Sequence, residues 1–142
     1  MATSGSVERD GSKLDWVQVG GGIPMLIVGP PRHYQRVFPH DLRSTFDVVF
    51  ANMRGFVPLP EGVDVTTINR DTFSDDIEAI RQAAGVVRPV VVGHSVVGKI
   101  VLEYARRYPD SVRGGGGHRD DTDRFCPIRT AHLEVLRPRR RR

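Results

Sequence analysis

The sequence is poor in the features that crosslink a chain, bind metals or cross membranes. Its 142 residues include a single cysteine, Cys126, which excludes an intrachain disulfide and cannot by itself define a metal site. It has no apolar run long enough to span a bilayer and no charged-then-apolar leader for secretion. We therefore expect a cytoplasmic protein of at most one domain, with no metal and no membrane partner.

The formal net charge of +4 comes from one end of the chain. Residues 1–113 contain 13 Lys+Arg and 13 Asp+Glu, whereas residues 114–142 contain 8 Arg and 4 Asp+Glu. Since a basic terminal segment says little about the folded part, this distribution argues against a nucleic-acid partner. The four glycines from Gly114 and the arginine-rich end also mark a change of composition. We predict a folded unit over 1–113 and a disordered or spurious Gly/Arg-rich tail over 114–142.

Patterns typical of strands and helices alternate through residues 1–113. The predicted strands are two that form a hairpin around Asp10-Gly11-Ser12 within 7–19, and three buried ones at 24–28, 46–50 and 89–92. The predicted helices lie at 32–43, with an interruption at Pro39, at 71–84 and at 96–108. This alternation predicts an α/β fold, with a mostly parallel sheet flanked by helices and a ligand site at the carboxyl ends of the strands.

Both ends of the helix at 71–84 carry local signals. Thr72 and Asp75 resemble a capping box, and Asp75, Asp76 and Glu78 place negative charge near the positive end of the helix dipole. We interpret the two aspartates as helix-end charges rather than as a paired-carboxylate site. Gly85 stands where a left-handed C-terminal cap is expected.

The most informative motif is Gly93-His94-Ser95, at the junction of a predicted strand and a predicted helix. In a nucleophile elbow, a sharp strand-to-helix turn lifts a serine above a parallel sheet. The turn needs a small residue two positions before the serine, which Gly93 supplies. It prefers a glycine two positions after the serine, where this chain has Val97, followed by Gly98.

Two other interpretations of this segment are open. The spacing from Gly93 to Gly98-Lys99 matches a phosphate-binding loop, although Ile100 replaces the hydroxyl residue that binds Mg²⁺ in such loops. Alternatively, Ser95 is an ordinary N-cap of the helix that follows. The first interpretation predicts a nucleotide-binding protein, and the second predicts no chemistry at this turn.

Residues 7–113 resemble the N-terminal part of an α/β-hydrolase-fold enzyme of the proline iminopeptidase-like and esterase-like kind. The segments that carry the resemblance, in the family's order, are 24–29, 46–56, 71–85 and 91–109. Val28 stands where the family usually has histidine, and Asn52 replaces the aspartate of an Asp-x-Arg-Gly motif whose arginine is Arg54. The resemblance implies an α/β-hydrolase fold that is truncated after the nucleophile-elbow helix.

The resemblance also implies a serine hydrolase that cleaves ester, amide or related acyl bonds of a small molecule without a cofactor. Ser95 is then the nucleophile, and the backbone N–H of Val96 donates to the oxyanion. The residues that shape the elbow are Gly93, His94 and Gly98. The second oxyanion donor normally comes from the loop after the third strand, which here reads Gly29-Pro30-Pro31, and proline has no N–H.

The triad partners of Ser95 are missing from the part of the chain with strand and helix patterns. In the family an acidic residue and then a histidine follow the serine on later strands. Asp120, Asp121 or Asp123 with His132 gives this order, but no strand pattern surrounds them. We therefore expect a hydrolase that is weakly active or inactive.

A second function from another class also fits the sequence. The strand at 89–92 would expose an apolar edge, which favours aggregation or self-association. The chain would then be a non-enzymatic interaction fragment that binds a partner through this edge or through its arginine-rich tail.

Overall fold

The structure is a computed structural model that describes residues 1–113. The predicted tail lies outside the described residues, as do Asp120, Asp121, Asp123 and His132. The strands are β1 (Thr3–Arg9), β2 (Ser12–Gly20), β3 (Ile23–Val28), β4 (Phe46–Ala51) and β5 (Val90–Gly93). The helices are α1 (Pro31–Val37), α2 (Leu42–Thr45), α3 (Arg70–Ala83) and α4 (Val96–Arg107). Short 3₁₀ turns lie at Arg54–Phe56, Val65–Thr67 and Pro109–Ser111.

All five strands form one sheet in the order β1-β2-β4-β3-β5. β3 runs parallel to both β4 and β5, whereas β1 with β2 and β2 with β4 pair antiparallel. The predicted hairpin is confirmed, because the two residues Asp10 and Gly11 join β1 to β2 with φ values of 47° and 74°. Positive φ at both positions is typical of a type I′ turn, whose twist matches that of the strands. The sheet is thus mixed, with the hairpin on one side and the parallel strands on the other.

Helices cover both faces of the sheet, as an α/β fold requires. On one face α3 and α4 pack over the main core, which includes Leu26, Val28, Val49, Ile77, Val101 and Tyr104. On the other face α1 packs over a smaller cluster, which includes Ile27, Val48 and Phe50. Successive side chains of a strand point to opposite faces, so the apolar run of β3 is buried from both sides.

Aromatic packing holds α1 against the sheet. The ring of Tyr34 lies edge-on to Phe38 at a centroid distance of 5.7 Å, and Phe38 lies edge-on to Phe50 of β4 at 6.2 Å. Gly29, with φ of 143°, lies so close to Tyr34 that a Cβ added there would overlap its ring. Two short helices, α1 and α2, replace the interrupted helix that was expected over 32–43, and the interruption at Pro39 is confirmed.

The N-terminal cap of α3 differs from the predicted one. The side-chain oxygen of Asn69 accepts from the N–H groups of Asp71 (2.9 Å) and Thr72 (3.1 Å), and the Thr72 hydroxyl accepts from the Asn69 N–H (3.2 Å). The predicted pairing of Thr72 with Asp75 is therefore wrong, because Thr72 is the third helical residue rather than the cap. The C-terminal prediction is confirmed, since Gly85 has φ of 68°.

The interpretation of Asp76 as a helix-end charge needs correction, because its side chain is fully buried. Nε and Nη2 of the buried Arg54 donate to its two oxygens at 2.9 and 2.8 Å. Nη2 of Arg54 also donates to Asp10 in the hairpin turn at 2.9 Å. Burial raises the pKa of Asp76, and the hydrogen bonds from Arg54 oppose that rise. This buried ion pair ties the hairpin to α3.

Candidate active site

The candidate serine lies at the carboxyl end of the parallel strands, in the turn between β5 and α4. β5 ends at Gly93, Ser95 follows two residues later, and α4 begins at Val96. In the register of the sheet, Val28 of β3 pairs with Gly93 of β5. The loop after Val28 therefore starts beside the loop that carries Ser95. This is the end of the sheet at which the alternating pattern predicted a ligand site.

Ser95 has a backbone conformation that is unfavourable for an L-residue. Its φ is 58° and its ψ is −127°, outside the left-handed helical region as well as the common α and β regions. Such conformations cost about 1–3 kcal/mol and persist where the surrounding structure fixes them. Here the N–H of Val97 donates to the carbonyl of His94 (3.1 Å), and the N–H of Gly98 donates to that of Ser95 (3.0 Å). The chain thus passes from strand to helix in one sharp turn.

Gly93 is required by the close approach of α4 to the end of β5. A Cβ at this position would lie 2.7 Å from Cγ2 of Val101 and 2.8 Å from the carbonyl oxygen of Val97. Because the core is closely packed, a larger residue would displace the helix. Gly98 faces this contact, where a Cβ would lie 3.3 Å from the carbonyl oxygen of Gly93. Val97, the departure from the usual motif, is 3% exposed and packs its side chain into the main core.

An exposed hydroxyl and a free backbone N–H lie on adjacent residues of this turn. The Ser95 side chain is exposed and makes no hydrogen bond to the start of α4, although it occupies the N-cap position. The N-cap interpretation requires that bond and is therefore wrong. The N–H of Val96, the first residue of α4, has no acceptor among residues 1–113. It points from the positive end of a 12-residue helix.

The phosphate-loop interpretation does not match this geometry. A phosphate loop directs several free backbone N–H groups toward one anion. Here the N–H groups of Val97 and Gly98 already donate to carbonyls within the turn. Lys99 is exposed on α4, whereas Ile100 is buried in the main core. Within residues 1–113, no group of three or more His, Cys, Asp or Glu side chains is placed to hold a metal ion.

The loop after β3 offers no free N–H from its first three residues. The N–H of Gly29 donates to the carbonyl of Ala51 at 2.8 Å and so continues the ladder between β3 and β4. Pro30 and Pro31 have no N–H. Of the residues considered for an oxyanion site, Val96 alone keeps a free donor.

No histidine or carboxylate is hydrogen-bonded to Ser95 within residues 1–113. The histidines of this range are His33, His40 and His94. The ring of His33 lies edge-on to Tyr34 at 5.3 Å, and His94 is exposed in the turn itself. The described residues thus present an exposed serine without the base that a serine nucleophile needs.

The buried carboxylate of Glu78 anchors α4 to α3. It accepts hydrogen bonds from Arg81 (2.7 and 2.9 Å), from Gln82 (2.9 Å) and from the Tyr104 hydroxyl of α4 (2.8 Å). Burial alone would raise the pKa of Glu78, but the hydrogen bonds from Arg81, Tyr104 and Gln82 lower it to about 2. Sequence reasoning missed this role. The available signal was Tyr104, because a tyrosine in the buried stripe of a helix needs a partner for its hydroxyl.

Two further observations concern a surface cavity and the lengths of the helices. A surface cavity lies beside the hairpin turn rather than beside Ser95, and its lining includes Asp10, Ser12, Arg54, Asp64 and Thr72. None of the described helices has both the length and the apolar character needed to cross a bilayer.

Comparison with known proteins identifies the family. The model of the alpha/beta hydrolase fold family matches residues 22–115. The AB hydrolase superfamily protein YclE of Bacillus subtilis (strain 168) is 32% identical over 113 residues, which cover 80% of this chain and 40% of that protein. The chain thus spans about 40% of the length of this curated relative.

Solved structures share the fold. Epoxide hydrolase VrEH1 from Vigna radiata superposes with a TM-score of 0.66 at 21% identity, over 80% of this chain and 38% of that one. The meta-cleavage product hydrolase CumD from Pseudomonas fluorescens IP01 superposes with a TM-score of 0.66 at 22% identity, over 78% of this chain and 42% of that one. Together with the resemblance in sequence order, these matches lead to one conclusion. The chain belongs to the α/β-hydrolase-fold family.

Proposed function

We propose that this chain carries the nucleophile of a serine hydrolase that acts on ester, amide or related acyl bonds of a small molecule. The observation that carries the proposal is the backbone of Ser95, whose unfavourable conformation leaves its hydroxyl exposed beside a free N–H. In this proposal Gly93, His94 and Gly98 form the nucleophile elbow. The reaction needs no cofactor.

The proposed chemistry follows from the placement of these two groups. The Ser95 hydroxyl attacks the acyl carbon, and the carbonyl electrons move onto the carbonyl oxygen. That developing oxyanion accepts a hydrogen bond from the N–H of Val96, and the positive end of α4 favours the negative charge. The hydroxyl proton must pass to a base. Within residues 1–113 no side chain is hydrogen-bonded to Ser95 to receive it.

Two features lower the expected rate of hydrolysis. Loss of the triad histidine reduces turnover by roughly a millionfold in another serine hydrolase. Loss of one oxyanion donor costs about 10²–10³-fold in turnover. We therefore expect the 142-residue chain to be weakly active or inactive, with reaction confined to activated acyl compounds. The activity of a protein as long as the relatives is a separate proposal.

Covalent labelling tests the nucleophile directly. A fluorophosphonate probe should modify Ser95, as located by peptide mass spectrometry, and Ser95→Ala should remove that label. Ser44→Ala is the matched control, because Ser44 is another exposed serine but lies in α2. Equal labelling of wild type and Ser95→Ala would reject the proposed nucleophile, and no labelling of Ser95 in the wild type would reject residual activity of this chain.

Restoring the missing donor tests the oxyanion assignment. Pro30→Gly supplies a backbone N–H in the loop beside Ser95 and should raise the labelling rate by about tenfold or more. Pro39→Gly is the control, because this proline lies between α1 and α2. A rate that is unchanged in Pro30→Gly, or raised equally in both variants, would show that this loop does not line the reacting oxygen.

The second candidate function is the non-enzymatic interaction fragment. The observation that favours it is the position of β5 at an edge of the described sheet. This candidate predicts that Ser95→Ala leaves partner binding unchanged.

A further inference from the structure

The surface cavity beside the hairpin turn plays no part in the proposed chemistry of Ser95. Its volume is about 290 Å³. The β1–β2 turn, the 3₁₀ turn at Arg54–Phe56, the segment 63–68 and the start of α3 form its walls. This volume is at the lower end of the range of small-molecule sites, so the cavity has room for a ligand of about one ring.

Hydrogen bonds within the described residues fix the walls of this cavity. Arg54 joins the hairpin turn to α3, because it donates to Asp10 at 2.9 Å and to Asp76 at 2.8 and 2.9 Å. The carboxylate of Asp64 accepts from the N–H of Thr66 at 2.9 Å and so caps the 3₁₀ turn that follows it. A ligand therefore meets a largely pre-formed site and loses little affinity to ordering of the protein.

The cavity lies away from the edge of the sheet at which the described residues end. The hairpin strands stand at one side of the strand order β1-β2-β4-β3-β5. At the other side, the N–H of Arg113 donates to the carbonyl of Pro89 at 3.0 Å, beside the start of β5. The shape of the cavity is therefore set by described residues rather than by the open side of β5.

Arg54 supplies a hydrogen-bond donor to the cavity. It contributes to the lining, and its side chain is only 5% exposed. Nε and Nη2 donate to Asp76 and Asp10, whereas Nη1 has no hydrogen-bond partner within residues 1–113. A donor held almost completely inside the protein needs an acceptor that reaches it from the cavity.

Acceptors and apolar groups complete the lining. Asp10 and Asp64 each use one carboxylate oxygen in the bonds just given, and the other oxygen of each has no partner among the described residues. Val63 and Ile68 also line the cavity, and both are half-buried. A donor, acceptors and aliphatic surface thus meet in one small space.

The charges of the lining decide the class of ligand. The charge of Arg54 is offset by Asp76, and an anion in the cavity would face the carboxylates of Asp10 and Asp64. A simple ammonium ion would pair with these carboxylates but leave Nη1 of Arg54 without an acceptor. A hydroxyl group can donate to a carboxylate and accept from Nη1, and the C–H groups of a ring can contact the two apolar side chains. We propose that this cavity binds a neutral polyhydroxylated molecule of the size of one sugar ring, independently of Ser95.

An NMR titration of the full chain tests the proposal. The probe is methyl α-D-glucopyranoside, and its anionic counterpart is methyl α-D-glucuronoside, in which a carboxylate replaces the CH₂OH group. The glucoside should shift the amide signals of Ser12, Thr67 and Ile68 in a saturable way, with a dissociation constant in the millimolar range that is expected for about a dozen non-hydrogen atoms. The glucuronoside should bind about fivefold more weakly or less well still, because of the two carboxylates. No saturable change at these amides, or equal affinity for both probes, would overturn the proposal.

Two neighbouring threonines provide a variant and its matched control. Thr67 lines the cavity and Thr66 does not, although the hydroxyl of each donates to an oxygen of Asp64. Thr67→Val keeps the shape of the side chain but removes its hydroxyl, so it should raise the dissociation constant of the glucoside about threefold to tenfold. Thr66→Val should leave that constant unchanged. Equal weakening by both substitutions, or none by Thr67→Val, would overturn the proposal.

The two proposals for this chain can fail separately. Saturating glucoside should leave the rate at which the fluorophosphonate probe labels Ser95 unchanged, because the cavity does not lie beside that serine. A glucoside that blocks the labelling would place the bound sugar at the Ser95 turn and overturn the assignment to the cavity. Absence of labelling in a chain that still binds the glucoside would reject residual activity at Ser95 alone.

Discussion

The two edges of the sheet differ in what secures them. β1 is seven residues long and mainly polar, and a buried ion pair between Arg54 and Asp76 fastens its hairpin to α3. β5 is four residues long and apolar, and its neighbour α4 is held to α3 by the hydrogen bond from the Tyr104 hydroxyl to Glu78. The proposed chemistry lies on the β5 side. The buried ion pair therefore lies toward one edge of the sheet, and the residues available for reaction or association lie toward the other.

The largest expected effect is a loss of stability when the buried ion pair near the hairpin is broken. Asp76→Asn leaves the buried Arg54 without its main partner and should lower the free energy of unfolding by about 3–5 kcal/mol. Asp75→Asn is the neighbouring control, because Asp75 pairs with Arg107 at the surface and should lose about 1 kcal/mol or less. Urea denaturation of both variants measures the difference. Equal losses would show that the buried pair does not secure the hairpin.

Low pH should weaken the contact between α3 and α4, which lies toward the β5 edge of the sheet. The pKa of Glu78 is about 2 in the folded chain and 4.5 in its ordinary state, so its stabilising contribution is complete above pH 4.5 and is lost as the pH falls toward 2. This shift corresponds to at most about 3 kcal/mol. Glu78→Gln should reduce the stability at pH 7 and flatten its dependence on pH below 4.5. If Glu78→Gln keeps the acid dependence of the wild type, other carboxylates are responsible.

The next effect concerns the turn that carries the candidate serine. Gly93→Ala forces a Cβ against the carbonyl of Val97 and should lower the free energy of unfolding by about 1–3 kcal/mol. Gly21→Ala provides the control, because a Cβ there meets nothing within 4 Å. Thermal unfolding of the two variants is the measurement. A Gly93→Ala variant as stable as the control would mean that α4 does not approach β5 this closely.

The smallest expected effect is a gain in stability rather than a loss. Ser95→Gly removes the cost of positive φ from the turn and should raise the free energy of unfolding by about 1 kcal/mol, while it removes the hydroxyl. Ser44→Gly in α2 should instead lower it by about 0.5–1 kcal/mol, as expected for glycine in a helix. If Ser95→Gly is more stable than the wild type and is no longer labelled by the probe, the strained turn serves the reaction rather than folding. A destabilised Ser95→Gly would contradict that interpretation.

Local signals explain which elements could be predicted. The hairpin follows from Asp10-Gly11, the strands from short apolar runs, and α4 from a stripe of residues that is buried throughout. The cap of α3 was misplaced because Asn69 and Thr72 are both suitable cap residues, three positions apart. The choice between them depends on where the first helical turn closes.

Contacts between distant residues explain what could not be predicted. Arg54 is 22 residues from Asp76, and Glu78 is 26 residues from Tyr104. No periodic pattern links such pairs, and the charges look the same in sequence whether buried or exposed. The candidate site was easier, because Gly93, Ser95 and Val96 lie within four consecutive residues. The predicted function of Ser95 stays a prediction until it is labelled.

The packing of Tyr34 over Gly29 has a consequence for how the proposed site could change. The rings of Tyr34, Phe38 and Phe50 lie in series and hold α1 to the sheet, and α1 begins directly after Pro30. A movement of this loop toward Ser95 would therefore have to break the contact between Gly29 and Tyr34. Replacement of Pro30 alone would give this loop a further N–H without disturbing those rings, so a change in one codon is enough to alter the hydrogen-bonding capacity of the proposed site.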